Sequence, residues 1–143
     1  MNPTVIPYSE WLAILTALVA TGTPGGAWNG AKVHLYQNNF TPVPGMTLAS
    51  FTEADFTGYS ASAAVVWNTP GFIPAGNAIV TGDNKQFTVG ATPTVFNTIY
   101  GYYLTDGAGT TLLFARLFNA PITLSAAGQF IDVVPSYQTY TFQ

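Results

Sequence analysis

The sequence predicts a mainly β protein, an antiparallel β-sandwich of the jelly-roll or immunoglobulin-like kind, with one short helix near the N-terminus. Three observations favour this fold class. Short apolar or alternating stretches recur along the chain, clusters of Gly, Pro, Asn and Asp separate them, and a single segment has helical spacing. The 143 residues suffice for one domain with a hydrophobic core. We expect residues 1–24 to form a helical arm and residues 25–143 to form the β-sandwich domain.

The N-terminal segment carries the signals of a helix. Ser9 can cap the first turn, Glu10 lies where the helix dipole favours an acidic side chain, and Gly22 closes the end. Large apolar residues, Trp11 and Leu15 among them, recur between these signals at helical spacing, and the remaining positions are small and neutral. We therefore expect the helix to be covered on most sides. It packs either on its own domain or on a neighbouring subunit, with Trp11 and Leu15 at the contact.

Seven stretches that follow the Gly-rich connection at residues 21–30 have the alternation or β-branched content of strands. The turns between them contain the residues that short antiparallel connections require. The predicted strands are Ala31–Gln37, Ala61–Trp67, Ile79–Thr81, Gln86–Val89, Asn97–Thr105, Thr110–Phe118 and Gln129–Tyr140. Residues 38–59 have no clean period, so we expect them to cross the surface from one sheet to the other.

The Asp-Gly-Ala-Gly turn predicts a hairpin in which Thr105 pairs with Thr110. On this register Leu104 faces the core, whereas Tyr103 and Phe114 share the opposite face. That face should be polar in an exposed antiparallel pair, but it is largely apolar. We therefore expect another layer of the chain, such as the helix, or a second subunit to cover it, with contacts at Tyr103 and Phe114.

The charge content argues against several classes of function. Charged residues make up 6% of the chain, against roughly 25% in an ordinary domain. Phosphate binding needs clustered Lys and Arg, and with three such residues in the whole chain we expect no nucleic-acid partner. No apolar run reaches the length of a membrane span, so we expect no membrane partner. A surface with so little charge favours association with other copies or with a larger assembly.

The residues that could carry chemistry are few. The chain has no cysteine, and its single histidine, His34, lies in an alternating strand without a clear nucleophile. Glu53 and Asp55 could hold calcium or act as an acid–base pair, but no third acidic residue lies nearby, which favours a solvated loop pair. Asp83 and Asp106 lie at positions where turns favour aspartate. We expect no enzymatic activity, no cofactor and no metal.

Two long stretches resemble small structural proteins of tailed bacteriophages. YGYYLTDGAGTTLLFARLFNAPITLSAAGQFIDVVPSYQTY is similar to their C-terminal portion, where a Y-x-V-T-D-A-A-G-T-x-L-L hairpin precedes F-x-x-P-I-T-L and D-x-L-x-V-x-P segments. VHLYQNNFTPVPGMTLASFTEADFTGYSA is similar to their LF-x-N-N-x-T-P…L-x-x-x-T-E-A-x-F-x-G-Y stretch. The resemblance covers about residues 33–140. It departs at Phe130 and Ile131, which stand where that pattern is more polar.

The resemblance implies a non-enzymatic virion protein, since such modules serve as capsid cement, head fibres and tail components. We expect a capsid decoration (cement) protein, a homotrimer or homodimer that binds the major capsid protein and stabilises the head. It would be made in the host cytoplasm without a signal peptide, because no basic residue precedes Lys32, and would lie on the capsid surface. The alternative is a tail-fibre or receptor-binding module that recognises cell-surface glycan. Aromatic residues that could stack on sugars are Trp28, Tyr36, Tyr59 and Trp67.

Overall fold

The computed structural model describes residues 28–68, 71–73 and 77–138. In these residues every strand pairing is antiparallel, and the one helical element that lies wholly within them is the 3-10 turn Leu48–Ser50. The strands are β1 (Lys32–Tyr36), β2 (Gly71–Ile73), β3 (Asn77–Thr81), β4 (Lys85–Thr88), β5 (Asn97–Thr105), β6 (Leu112–Leu124), β7 (Phe130–Val133) and β8 (Ser136–Gln138). The predicted mainly β class is confirmed for this part of the chain. The predicted helical arm, with Trp11 and Leu15, lies outside the described residues.

The described strands form three small sheets. A central sheet has the order β1-β5-β6, a second has the order β2-β3-β8, and β4 pairs with β7. Side chains from all three sheets enter one hydrophobic cluster, the main core, in which Trp28 packs edge-on against Trp67 and is stacked with Phe114. Its strand members include Val33, Leu35, Val80, Phe87, Ile99, Tyr102, Leu104, Phe114, Leu124, Ile131 and Val133.

Three strand predictions were wrong. The strand predicted at Thr110–Phe118 begins at Leu112 and continues to Leu124 as β6. Residues 61–67 form no strand beyond an isolated bridge at Trp67. They run along the free edge of β1 instead, where the Ser62 N–H donates to the Val33 carbonyl (2.9 Å) and the Ser62 hydroxyl accepts the Val33 N–H (2.8 Å). A side chain thus takes the place of one backbone partner, which interrupts a regular ladder. The predicted strand 129–140 is two strands, β7 and β8, separated at Pro135, which has no N–H to donate.

The hairpin register also differs from the predicted one. Thr105 pairs with Leu112 rather than with Thr110, and Leu104 pairs with Phe114. This change moves the pairing at Thr105 by two residues, and a β-bulge between Leu104 and Thr105 adds a third, so Phe114 turns to the main core instead of the opposite face. The prediction that Tyr103 and Phe114 share one face was therefore wrong.

The side chain of Asp106 explains the shift of two residues at Thr105. One carboxylate oxygen accepts the N–H groups of Thr110 (2.8 Å) and Thr111 (3.0 Å), and the other accepts the Thr110 hydroxyl (3.1 Å). Gly109 completes the turn in the left-handed region, at a φ of 75°. These bonds hold Thr110 and Thr111 in the turn, so strand pairing resumes only at Leu112.

The second face of the central sheet is covered by residues 38–52 of the same chain, which we call the covering segment. The sheet contributes Tyr36, Tyr103 and Ala115, here called the aromatic face. Phe51 of the covering segment stacks on Tyr103 with ring centroids 4.6 Å apart and tilts against Tyr36 at 5.2 Å. The predicted cover for this face is therefore a layer of the chain itself, and the segment folds back over one sheet instead of crossing between two.

Candidate functional site

Most charged side chains of the described residues bond within the chain. Lys85 binds Asp83 (2.8 Å) and the Ala64 carbonyl (2.8 Å), and the Arg116 guanidinium donates to the Ser136 hydroxyl (3.2 Å). The carboxylates accept hydrogen bonds in the same way: Glu53 from His34 and Tyr59, Asp55 from Gln37 and Asn97, Asp83 from Val66, Asp106 within its turn, and Asp132 from Asn84 and Gln86. Little charge is left to form contacts with a partner.

Several large apolar side chains are exposed near one end of the central sheet. Phe130 at the start of β7 is 55% exposed, and Ile122 near the end of β6 is 39% exposed. Val95 and Phe96, just before β5, are 41% and 45% exposed. Ile122 pairs with Ile99 of β5, so the end of β6 lies beside the start of β5. Apolar surface concentrated in this way is typical of a docking site rather than of scattered exposed residues.

Ile122 and Phe130 both line one open groove of about 450 Å³, which we call the apolar groove. Its lining carries no charged side chain and consists of Ile122, Thr123, Leu124, Ala127, Gly128, Gln129 and Phe130. The groove thus joins the end of β6, the turn that follows it and the start of β7. It suits an apolar side chain of a partner better than a charged or strongly polar ligand.

Hydrogen bonds hold the turn that forms the floor of the apolar groove. The Gln129 side-chain oxygen accepts the backbone N–H groups of Ser125 (2.7 Å) and Ala126 (3.0 Å). The Gly128 N–H donates to the Val89 carbonyl (3.0 Å), and the Val89 N–H donates to the Gln129 carbonyl (2.8 Å). Because the turn is bonded both internally and to Val89, which directly follows β4, the groove is formed before any partner arrives, which lowers the ordering cost of binding.

The sequence analysis named other residues for contacts between subunits or layers. Tyr103 and Phe114 are each 5% exposed, and they pack inside the described chain against Phe51 and Trp28. A contact of Tyr103 or Phe114 with another subunit stays a prediction. The alternation in β7 could have identified Phe130, since buried Ile131 and Val133 require an outward side chain at position 130.

A polar cluster links β1, β5 and the base of the covering segment. His34 Nδ1 lies 2.7 Å from Glu53 Oε1, and the Tyr59 hydroxyl donates to the same oxygen at 2.8 Å. His34 Nε2 lies 3.0 Å from the Thr105 hydroxyl, and the His34 ring stacks on Tyr103. The hydrogen bond from His34 holds the pKa of Glu53 below its usual range, and the bond from Tyr59 acts in the same direction.

Thr105, His34 and Glu53 have the order of a nucleophile, a base and an orienting carboxylate. The Thr105 side chain, however, is 1% exposed, and its hydroxyl lies 2.9 Å from the Asp106 carbonyl. A substrate has no access to this hydroxyl in the described structure, so the cluster joins structural elements and does not present a nucleophile. Among the described residues, no group of three or more His, Cys, Asp or Glu side chains converges in a way that could hold a metal ion.

The aromatic residues named for glycan stacking are engaged elsewhere. Trp28, Tyr36 and Trp67 are buried, at 5%, 0% and 6% exposure. The Tyr59 ring packs against Phe56 and Phe87, and its hydroxyl is bonded to Glu53. None of the three buried rings offers a face to a sugar.

Comparisons of the chain with protein-family models, with curated proteins and with solved structures found no match. In the part of the chain that the structure describes, no helix has both the length and the apolar composition of a membrane span. The apolar groove, together with the inward-bonded charges, is therefore the feature from which a function can be argued.

Proposed function

We propose that this chain is a non-enzymatic structural protein of a phage virion, a capsid decoration protein that binds the major capsid protein and stabilises the head. The observation that carries the proposal is the apolar groove of Ile122 and Phe130, in a described part of the chain where most charged side chains bond internally. The resemblance of residues 33–140 to phage structural proteins supports the choice of a virion. The proposal includes a homotrimer or homodimer and closure of the sheets into a β-sandwich.

Apolar burial is the force available to such a surface. At about 25 cal/mol per Å², burying roughly 800 Å² of apolar surface contributes about 20 kcal/mol before the cost of association, which is on the order of 4–15 kcal/mol. Exposed ion pairs contribute about 0–1 kcal/mol each, and the charged side chains that could form them are few. We therefore expect attachment to the capsid to depend weakly on ionic strength.

The experiment is co-sedimentation of the purified chain with capsids that lack it, for wild type and for the double variant Ile122→Ser, Phe130→Ser. Removing two apolar anchors should weaken binding roughly 100-fold or more, since burying one such side chain contributes about 1.5–3 kcal/mol. Val134→Ser is the matched control, because Val134 is 49% exposed but lies past the opposite end of β7 and outside the groove lining. It should bind like wild type.

Two results would contradict the proposal: a wild-type chain that does not bind capsids, and a double variant that binds them as tightly as wild type. A steep loss of binding between 50 mM and 500 mM salt would contradict the apolar mechanism. If the chain binds glycan and does not bind capsids, the result would instead favour the tail-fibre or receptor-binding alternative. Nothing in the described residues favours that alternative, because Trp28, Tyr36 and Trp67 are buried.

A further inference from the structure

We propose that His34 and Glu53 form a clasp that holds the covering segment over the aromatic face, and that protonation of Glu53 releases the segment. The inference concerns the opposite side of the central sheet from the main core and does not rest on the proposed function. It follows from where the covering segment is anchored, how little internal structure it has, and which protons the clasp requires.

The covering segment is a loop closed at its base. The Gln37 N–H donates to the Thr52 carbonyl (2.9 Å), and the Ala54 N–H donates to the Leu35 carbonyl (2.9 Å). The Asn38 side chain closes the loop from inside, donating to the Ser50 carbonyl (3.0 Å) and accepting the Thr52 N–H (2.8 Å). Glu53 directly follows the segment, so its contact with His34 ties this base to the middle of β1.

Between these anchors the covering segment has almost no regular structure. It contains a single 3-10 turn, Leu48–Ser50, and no strand. Its order depends on Phe51, which is 9% exposed, and on the partly buried Phe40, Met46 and Leu48, which pack against the aromatic face. A segment held by a few side chains and by no strand ladder belongs to the part of a protein that opens at the lowest free energy.

The hydrogen bonds of the clasp determine which ring nitrogen of His34 carries a hydrogen. A carboxylate only accepts hydrogen bonds, so His34 Nδ1, 2.7 Å from Glu53 Oε1, must carry a hydrogen. The Tyr59 hydroxyl accepts the Leu35 N–H (3.0 Å) and donates its own proton to the same Glu53 oxygen (2.8 Å). Both donors meet a charged acceptor, and such bonds are roughly twice as strong as neutral ones.

The other ring nitrogen can keep its contact with or without a proton. If Nε2 of His34 is protonated, it donates to the Thr105 hydroxyl (3.0 Å), which donates in turn to the Asp106 carbonyl (2.9 Å). If Nε2 carries no hydrogen, the Thr105 hydroxyl can donate its proton to Nε2 instead. The Asp106 carbonyl still accepts the Gly109 N–H (3.0 Å). The clasp therefore survives a change of charge on His34, and Glu53 is the group whose charge it requires.

The other ionisable groups that face the clasp do not replace Glu53 as the group whose protonation releases the covering segment. They are Tyr59 from the loop after the segment, Tyr103 from β5, and Lys32, which lies two residues from His34 on the same side of β1. Burial raises the pKa of both tyrosines, which stay protonated through the acid and neutral range. The pKa of Glu53 is lowered by the bond from His34, so the clasp contributes above the usual carboxyl range and is lost as pH falls through the lowered value.

Hydrogen–deuterium exchange of the full chain tests the clasp, with Glu53→Gln as the main variant and Asp132→Asn as the matched control. Asp132 is also a bonded carboxylate, but its partners are Asn84 and Gln86, far along the chain from the clasp. At pH 7, the amides of residues 38–52 should exchange about tenfold faster in Glu53→Gln, while β5, β6 and the control remain unchanged. In wild type, exchange corrected for its intrinsic rate should be flat from pH 8 to pH 6 and rise in acid.

Thr105→Val provides a second test, because it keeps the shape of the side chain but removes the hydroxyl that serves both states of His34. In this variant His34 Nε2 loses its hydrogen-bond partner, so the amides of residues 38–52 should exchange faster than in wild type at the same pH. Unchanged exchange of residues 38–52 in Glu53→Gln, or an equal increase over all strands, would overturn the clasp. Exchange of residues 38–52 in Thr105→Val that matches wild type would overturn the role of the hydroxyl.

Discussion

The two faces of the central sheet are buried in different ways. On one face, Val33, Leu35 and Leu104 enter a core built from the strands of all three sheets. On the other face, Tyr36 and Tyr103 are covered by an irregular segment whose base is fixed by side-chain hydrogen bonds. Both faces are apolar, but the first depends on regular layers and the second on a loop. Equal burial therefore need not mean equal resistance to local opening.

Leu35→Ala tests the main-core side and should have the largest effect. Leu35 is fully buried, and truncation of such a side chain costs about 2–5 kcal/mol through lost transfer free energy and the cavity left behind. We expect the free energy of unfolding to fall by about 3 kcal/mol in urea titrations followed by tryptophan fluorescence. The exchange of all described strands should rise together. An increase confined to β1 would show that the core is less cooperative than this comparison requires.

Gly101→Ala tests the contact between the aromatic face and the backbone beneath it. A Cβ at position 101 would lie 2.6 Å from the Tyr36 hydroxyl oxygen and would also meet the Arg116 carbonyl of β6. Because that carbonyl is backbone and cannot swing away, we expect a loss of about 2–3 kcal/mol. Gly109→Ala is the control, since nothing lies within 4 Å there and only the φ of 75° opposes a side chain, at a cost of about 1 kcal/mol. Equal losses would mean that the Tyr36 contact imposes no constraint.

Phe51→Ala should separate the two faces most clearly. Phe51 contacts Tyr36, Phe40 and Tyr103, yet it belongs to the covering segment and not to a strand. We expect a smaller loss of global stability, about 2 kcal/mol, with a much larger rise of exchange within residues 38–52 than in β5. If exchange rose equally in the segment and in β5, the two faces would form one cooperative unit.

Glu53→Gln should have the smallest effect on global stability, about 1 kcal/mol at neutral pH, because the carboxylate is partly exposed and its bonds are screened. Since the pKa of Glu53 is lowered in the folded chain, its contribution is complete above the usual carboxyl range and disappears as pH falls. The stability difference between wild type and variant should therefore shrink in acid when measured by urea unfolding across pH 3–7. A difference that grows in acid would contradict the sign of this linkage.

The sequence predicted the strands that carry a clear alternation. The strand Asn97–Thr105 was predicted with the bounds that the structure shows, and β1 differs from its prediction by one residue at each end. These strands are long or strictly alternating, so the local pattern alone determines them. The register between β5 and β6 was wrong because it depends on the Asp106 side chain, which holds two further residues in the turn, and on the β-bulge between Leu104 and Thr105, which shifts the pairing by one more residue.

The covering segment and the apolar groove were harder to predict. Residues 38–52 have no period because their apolar side chains meet the sheet from a loop, and only the fold brings Phe51 onto Tyr103. Ile122 and Phe130 lie in different strands, and the turn that brings them to one groove is closed by Gln129. One apolar residue in each of two separate strands gives no sequence pattern from which a shared groove could be predicted. The apolar second face of the hairpin, by contrast, correctly indicated that a cover was needed.

The central claim is that this charge-poor chain functions by apolar association through the groove of Ile122 and Phe130. Sedimentation velocity of the purified chain mixed with capsids that lack it tests it most directly, at 50 mM and 500 mM salt. The account predicts that wild type and Val134→Ser migrate with the capsids at both salt concentrations, whereas the Ile122→Ser, Phe130→Ser double variant remains as free chain. A wild-type chain that remains free, or a double variant that migrates with the capsids as wild type does, would contradict it.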